Sequence, residues 1–384
     1  MNLTRVAALA HKEWRETVRD RLYLLLAFVL PTLLMLVFGH GMSQEIEGVG
    51  LAVLDEDRSV MSRDYLDHFG QTRHFRLIAH LDSPRQIEPI MATGQARAVI
   101  WIAPGFQADI NRGRPARVLF AVDGTFTVPA RTLRGYLDAI NAAANAELQA
   151  GYLSRVLGLA SERVMPLIRP VRVQVRYLYN EEVRSIWTIA PALLMLILLM
   201  VPPLLMALSV VREKETGAIY NVRCSTITRA EFIAGKLLPN LLISSVNAAI
   251  LWALAVFYFG APFKGSFLVF GLGTFLYLVG TSALGLLVSL LVRSQQAALI
   301  ISTMVAVIIA IQFSGLFAPV DSLTGVNHLL ARVFSASYYY DIVLGTFLKS
   351  TGFDVLWRQF AFLTVFAAAL LALCHALFRK RTRT

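Results

Sequence analysis

The chain has 384 residues, 56% of them hydrophobic and only 16% charged, with a net charge of +11 at pH 7. Soluble globular domains carry about 25% charged residues, and here the apolar residues are also clustered, which argues against a soluble protein built on buried core helices. The positive surplus would suit a nucleic-acid partner, but its placement along the chain fits a membrane orientation signal instead.

Residues 1–21 form a charged leader. Val6, Leu9, Ala10, Trp14 and Val18 recur there near helical spacing among Arg5, Lys12, Arg15 and Arg19. The pattern predicts a cytoplasmic amphipathic helix lying in the membrane interface rather than a merely solvated leader. Six stretches follow that contain no Asp, Glu, Lys or Arg: 22–38, 186–211, 237–259, 267–292, 297–316 and 360–377. At about 1.5 Å per residue each is long enough to cross a bilayer core. The first span, taken as 22–39, reads as a retained anchor, because Gly39-His40-Gly41-Met42 is a poor signal-peptidase site.

Between the first two spans, residues 40–185 read as an α/β domain. Strands are expected at 49–54, 75–79, 98–102, 118–122 and 171–179. Ser59 and Ser83 are placed to cap helices, Pro104 fits a helix's first turn, and an Ala-rich helix is expected from 128 to about 157. This insert has no cysteine, so it folds without disulfides; Cys224 and Cys374 lie elsewhere. The remainder, 186–384, holds spans two to six. In the fourth, Thr281, Gly285 and Ser289 recur every four residues on one face, a spacing that lets helices approach closely. Pro31, Pro191, Pro202 and Pro203 interrupt spans and are expected to place kinks. Residues 317–357 are too polar to cross, so they are expected to dip into the outer leaflet or cover the membrane mouth.

Lys and Arg concentrate in 1–21, the loop 212–236, Arg293 and the basic tail 379–384, which together supply +9 of the +11. The insert, with 17 basic and 16 acidic residues, is nearly neutral. The positive-inside rule then places both termini in the cytoplasm and 40–185 outside it.

Chemical motifs are scarce. No Gly-x-x-x-x-Gly-Lys-Ser/Thr loop is present, so the chain is not itself a P-loop ATPase, and no nucleophile elbow marks a hydrolase. His68, His74 and His80 lack metal-site spacing, and Asp55 and Asp57 are better explained as caps than as metal ligands, so neither a catalytic nor a metal residue is expected. The spans lack charges that would couple transport to an ion gradient, so any pumping energy comes from outside the chain. Its entry point is the loop 212–236. Arg212, Glu213, Lys214, Glu215 and Gly217 follow the second span; Thr228 caps a helix with Arg229 and Glu231 in its first turn, and Lys236 leads into the third span. The residues alone leave an ordinary interfacial loop equally open.

These two stretches resemble the R-E-x-E-x-G and T-R-x-E-F-x-x-G-K segments of ABC-2 type permeases. The subgroup with a large domain between the first two spans, the YhhJ-like permeases, is similar over nearly the whole chain, including 54–59, 122–124, 264–267 and 313–316. This chain has Thr226 where the family commonly has proline. The resemblance implies an α-helical integral membrane protein with six transmembrane helices and an inserted extracytoplasmic α/β domain, sited in a bacterial inner membrane with 40–185 periplasmic. It implies a permease, not an enzyme, that binds no cofactor itself. ATP and Mg belong to separate ATP-binding cassette subunits, and a second permease copy or homologous half completes the pump, with room for a periplasmic adaptor. Coupling is then assigned to Arg212, Glu213, Lys214, Glu215, Gly217, Arg229, Glu231 and Lys236, and helix packing to Thr281, Gly285 and Ser289. An amphipathic drug, lipid or related molecule is the expected cargo. Two rivals are a non-transporting envelope module that regulates an outside partner and a membrane-bound enzyme with the insert as its catalytic domain.

Overall fold

A computed structural model describes residues 2–41, 48–125, 127–158, 178–182, 184–219, 225–316, 320 and 324–378. Residues 171–177 of the last expected strand, Cys224 and the basic tail 379–384 lie outside these described residues; Leu178 and Tyr179 are not in a strand. The chain divides into two compact units, one of Met1–Ser43 with Tyr177–Thr384 and one of Gln44–Arg176.

In the first unit, α1 (Leu3–Arg19) begins at Asn2, whose side chain accepts from the Thr4 amide. Its buried residues are Val6, Leu9, Glu13 and Thr17, whereas Trp14 and Val18 are exposed. The stripe packed on the protein thus includes Glu13 and Thr17, while Trp14 and Val18 of the apolar face stay uncovered. Asp20 breaks the helix in extended backbone, and its carboxylate accepts from the Leu22 and Tyr23 amides to start α2 (Arg21–Gly41). A π-helical turn occupies Leu25–Val29 of this span.

The second unit carries a four-stranded sheet in the order β2-β1-β3-β4, formed by β1 (Val49–Asp55), β2 (Phe75–Leu81), β3 (Ala98–Ile102) and β4 (Val118–Val122). β1 runs parallel to both β2 and β3, and β4 pairs antiparallel with β3. Both sheet faces are covered, which is why β1 and β3 read as nearly continuous apolar runs. On one face, Leu51, Val53 and Ile100 pack against Tyr65 and Phe69 of α3 (Val60–Gly70) and Leu133 and Leu137 of the long helix α6 (Thr127–Leu157). On the other, Ala52, Leu54 and Val99 pack with Ile87, Ile90 and Met91 of α4 (Ile87–Ala92). Ser59 caps α3, accepting from the Ser62 amide. Asp57 instead caps α5 (Phe106–Asn111), accepting from the amides of Gly105 and Gln107 at 2.8 and 3.1 Å. Burial alone would raise the Asp57 pKa, but the bonds from Ser59 and these amides hold it below the usual aspartate value. Asp57 is thus a structural cap, whereas Asp55 closes the turn after β1, accepting from the Asp57 and Arg58 amides and from Ser62 Oγ.

Among the described residues, six helices of the first unit are long and apolar enough to cross a membrane: α2, α7 (Ile186–Glu215), α8 (Arg229–Tyr258), α9 (Phe267–Leu291), α10 (Gln295–Phe313) and α13 (Phe353–Leu377). α7 is the central one, buried along most of its length, and continues as one helix through Pro191, Pro202 and Pro203. Against it lies α9, at closest approach where Gly285 faces Pro203. A Cβ at Gly285 would lie 2.1 Å from the Pro203 carbonyl oxygen, and Thr281 and Ser289, one turn to either side, are buried. Gly285→Leu is therefore expected to force α9 from α7 and destabilise the bundle by about 1–3 kcal/mol or more. Gly271→Leu, at a position where a Cβ meets nothing within 4 Å, serves as the matched control. Equal thermal midpoints for the two variants in detergent would refute a tight α7–α9 contact.

Between α10 and α13, the polar stretch folds inward as α11 (Val326–Val333) and α12 (Ser335–Leu344), the latter extended by a π-helical turn over Gly345–Lys349. Tyr339 of α12 is fully buried and stacks on Tyr277 with ring centroids 4.0 Å apart. Its hydroxyl lies 2.9 Å from Thr274 Oγ1. Tyr277 sits near the middle of α9, so this segment reaches halfway along a span rather than lying across the bundle's end.

Candidate coupling site

At one end of the bundle α1 packs on the first turns of α8, and its side chains and Asp20 reach the last turns of α7. α8 starts cleanly because Thr228 and Glu231 form a reciprocal capping box. Two turns later Gly235 meets α1 so closely that a Cβ there would lie 2.6 Å from Leu9 Cδ2. Glycine at this point brings the two helices together, and the next residue, Lys236, then points into their contact.

Lys236 is 1% exposed. Its Nζ lies 2.5 Å from Glu13 Oε2 of α1 and 3.1 Å from Glu213 Oε1 of α7. Ser209 Oγ donates to the other Glu13 oxygen at 2.6 Å, and Lys12 Nζ approaches Glu213 Oε1 at 3.1 Å and Glu16 at 3.6 Å. Burial lowers the proton affinity of Lys12, but Glu213 above all, with Glu16 and Glu13, outweighs it and holds the ammonium above the ordinary lysine pKa. The oxygens of Glu13, Glu16 and Glu213 converge within 4.8 Å of one another, a spacing that would suit a cation. Two lysine ammoniums already stand among them, so the chain supplies its own counter-charge. One buried acceptor, Glu213 Oε2, is left without a hydrogen bond.

The other loop residues are also turned back onto the protein. Arg212 pairs with Asp20 at 2.5 Å, a contact roughly half exposed. Lys214 donates to the Ser289 and Val292 carbonyls at the end of α9, a cation placed at a helix C-terminus. Glu215 accepts from the Gln295 backbone amide at 2.7 Å and from its side-chain amide, an anion at the N-terminus of α10. Gly217 supplies the left-handed residue, φ +74°, that ends α7. Glu231 accepts from the amides of Thr228 and Asn2 at 2.8 and 2.7 Å, which ties the start of α1 to the start of α8. Arg5 reinforces this tie by donating to the Thr226 carbonyl. Among the seven of these residues that carry a functional side chain, Arg229 alone makes no side-chain hydrogen bond or ion pair with the described residues, and it is half-buried in the first turn of α8.

The structure therefore brings Glu213 and Lys236 into one buried cluster and places Arg212, Lys214, Glu215 and Glu231 at four separate helix junctions. It also adds Lys12, Glu13, Asp20 and Ser209, which the loop motifs do not contain. The available signal for Glu13 was its spacing, since Val6, Leu9, Glu13 and Thr17 share one helical face. Deeper in the bundle, Asn240 extends the polar line one turn from Lys236, donating to Ser282 Oγ at 2.9 Å and the Pro202 carbonyl at 3.3 Å.

Comparison with known proteins agrees with this architecture. The chain is 27% identical over 345 residues to the probable multidrug ABC transporter permease YbhS of Escherichia coli strain K12, covering 90% of this chain and 88% of that protein. It is 25% identical over 354 residues to the probable multidrug ABC transporter permease YbhR of the same strain, covering 92% of each. The inner membrane transport permease YhhJ of that strain is 23% identical over 337 residues, covering 87% of this chain and 86% of its own length. The ABC-2 family transporter protein profile matches residues 21–374, from the start of the first span almost to the end of the last, and the chain belongs to that family.

Proposed function

We propose that this chain is the membrane-spanning subunit of an ABC-2 exporter in a bacterial inner membrane, driven by separate ATP-binding cassette subunits that carry the ATP and Mg. In this reading both termini and 212–236 face the cytoplasm, 40–185 is periplasmic, and a second permease copy or homologous half completes the path. Family membership makes the chain a transport subunit rather than an enzyme. The observation that carries the coupling assignment is the Lys236–Glu13–Glu213 cluster, which locks α1, α7 and α8 into one body beside the unpaired Arg229. Force applied at the start of α8 is then transmitted directly into the central helix α7. The relatives' multidrug names and the charge-free stretches 186–211, 237–259, 267–292 and 360–377 support an amphipathic cargo.

The test is co-reconstitution with its ATP-binding partner in liposomes loaded with a fluorescent amphipath. ATP-dependent loss of the dye, absent without the permease, is expected. Activation of a bound periplasmic partner without flux would overturn the export reading in favour of a mechanical envelope module.

A further inference from the structure

The α/β unit contains a cavity of about 630 Å³ between α5, β4 and α6, within the size range of small-molecule sites, roughly 300–1,000 Å³. One wall is apolar, with Phe106, Val118 and Phe120. The opposite wall is a row of carboxamides, Asn141, Asn145 and Gln149, spaced four residues apart on one face of α6. Tyr65 donates to Asn141 Oδ1 at 2.7 Å, which fixes that amide. Asn145 and Gln149 have no side-chain partner among the described residues. At the rim, Tyr152 lies over Gly113, where a Cβ would fall 2.4 Å from the tyrosine hydroxyl and φ is +67°. Glycine is thus required there on two counts, and the tyrosine closes one side of the opening.

The charge pattern narrows the ligand. Arg114 is the sole charged side chain lining the cavity, and it has no carboxylate partner. Elsewhere α6 presents Arg131, Arg134, Asp138 and Arg155 to solvent, so the neutral carboxamide row is not simply the helix's usual solvated face. Each carboxamide offers both donors and an acceptor, which suits hydroxyl or amide groups held along an apolar body.

The geometry points to a binding site for an uncharged or anionic amphipath with hydroxyl or amide groups along one edge. This inference stands whether or not the chain is an exporter, because it concerns binding to this unit alone. The ligand chemistry fits either a glycerol-bearing lipid headgroup or a free amphipath.

The test uses the full-length protein in phosphatidylcholine nanodiscs, photolabelled with a diazirine-bearing hexyl glucoside below its micelle concentration. Adducts are expected on peptides covering 106–120 and 141–153, competed by hexyl glucoside and hexyl sulfate but not by hexyltrimethylammonium. Asn145→Leu with Gln149→Leu removes exposed amides only and is expected to cut labelling about tenfold, as loss of two hydrogen bonds would. Arg114→Glu should reverse the ranking of hexyl sulfate and hexyltrimethylammonium, a comparison made within one sample and therefore independent of protein yield. Displacement of the label by phosphatidylglycerol in the nanodisc would support the site with a lipid as occupant; labelling unchanged by that lipid would support it with a free amphipath. Adducts confined to the membrane helices, or a ranking unmoved by Arg114→Glu, would overturn the proposal.

Discussion

Replacing Lys236 with methionine is expected to loosen α1 from the helix bundle and to cost about 3–5 kcal/mol of stability, the usual result of removing one partner from a buried ion pair. Methionine fills much of the same volume, so packing changes little while the charge is lost. Glu13 and Glu213 are then left facing each other with only the half-exposed Lys12 between them. Against this loss stand the contacts that remain: Leu9 against Gly235, Asn2 on Glu231, and Arg5 on the Thr226 carbonyl. All three are present with or without Lys236, so they hold α1 in place equally in both proteins and do not offset two stranded carboxylates. Faster trypsin cleavage at Lys12 and Arg15, together with a lowered thermal midpoint, is the expected readout. Adding Glu13→Leu should recover part of the loss, since removing a whole buried pair costs far less than removing half of it. If α1 stays protected and the midpoint holds in the single variant, the cluster is not what docks the helix.

The parts of this architecture that were legible in the sequence rest on repeating physical constraints. A bilayer needs about 20 apolar residues per helix, so six charge-free runs marked six helices. Strand periodicity and caps such as Ser59 marked the α/β unit, and the Thr228/Glu231 capping box was readable from spacing alone. The contacts of α1 were not readable in this way. Hydrophobicity marks Val6, Leu9, Ala10, Trp14 and Val18 as the face for the membrane interface, and it does not show that the helix also buries Glu13 and Thr17 against a surface carrying Lys236 and Ser209. Burial of a charge depends on a residue some 220 positions away, as the Glu13–Lys236 separation of 223 shows, and no local pattern encodes that. The contacts of the loop 212–236 were hidden for the same reason. Most of its described charges join helix ends inside the chain, through partners far away in sequence.

That leaves Arg229 as the position where coupling and stability can be separated. Arg229→Glu is expected to abolish stimulation of the partner ATPase while leaving the permease at least as stable as before. A cation in the first turn of a helix opposes the helix dipole, and an acid there is favourable by about 0.3–1 kcal/mol. Arg229 has no ion pair among the described residues to lose, so none of their contacts accounts for a positive charge at that point. An acidic surface on the ATPase would account for it. Reversal would then place like charges together at a cost of several kcal/mol, weakening assembly by roughly 100-fold for about 3 kcal/mol. Glu213→Lys and Glu215→Lys are poorer tests, because the first would put a third lysine into the buried cluster and the second would place a cation at the start of α10. Both would lower stability and coupling together. Copurification of the ATPase and stimulated hydrolysis are the measurements for Arg229→Glu, with a charge reversal on the ATPase surface expected to restore both. Wild-type stimulation in the reversed variant would show that force enters elsewhere along 212–236, and would remove Arg229 from the coupling site.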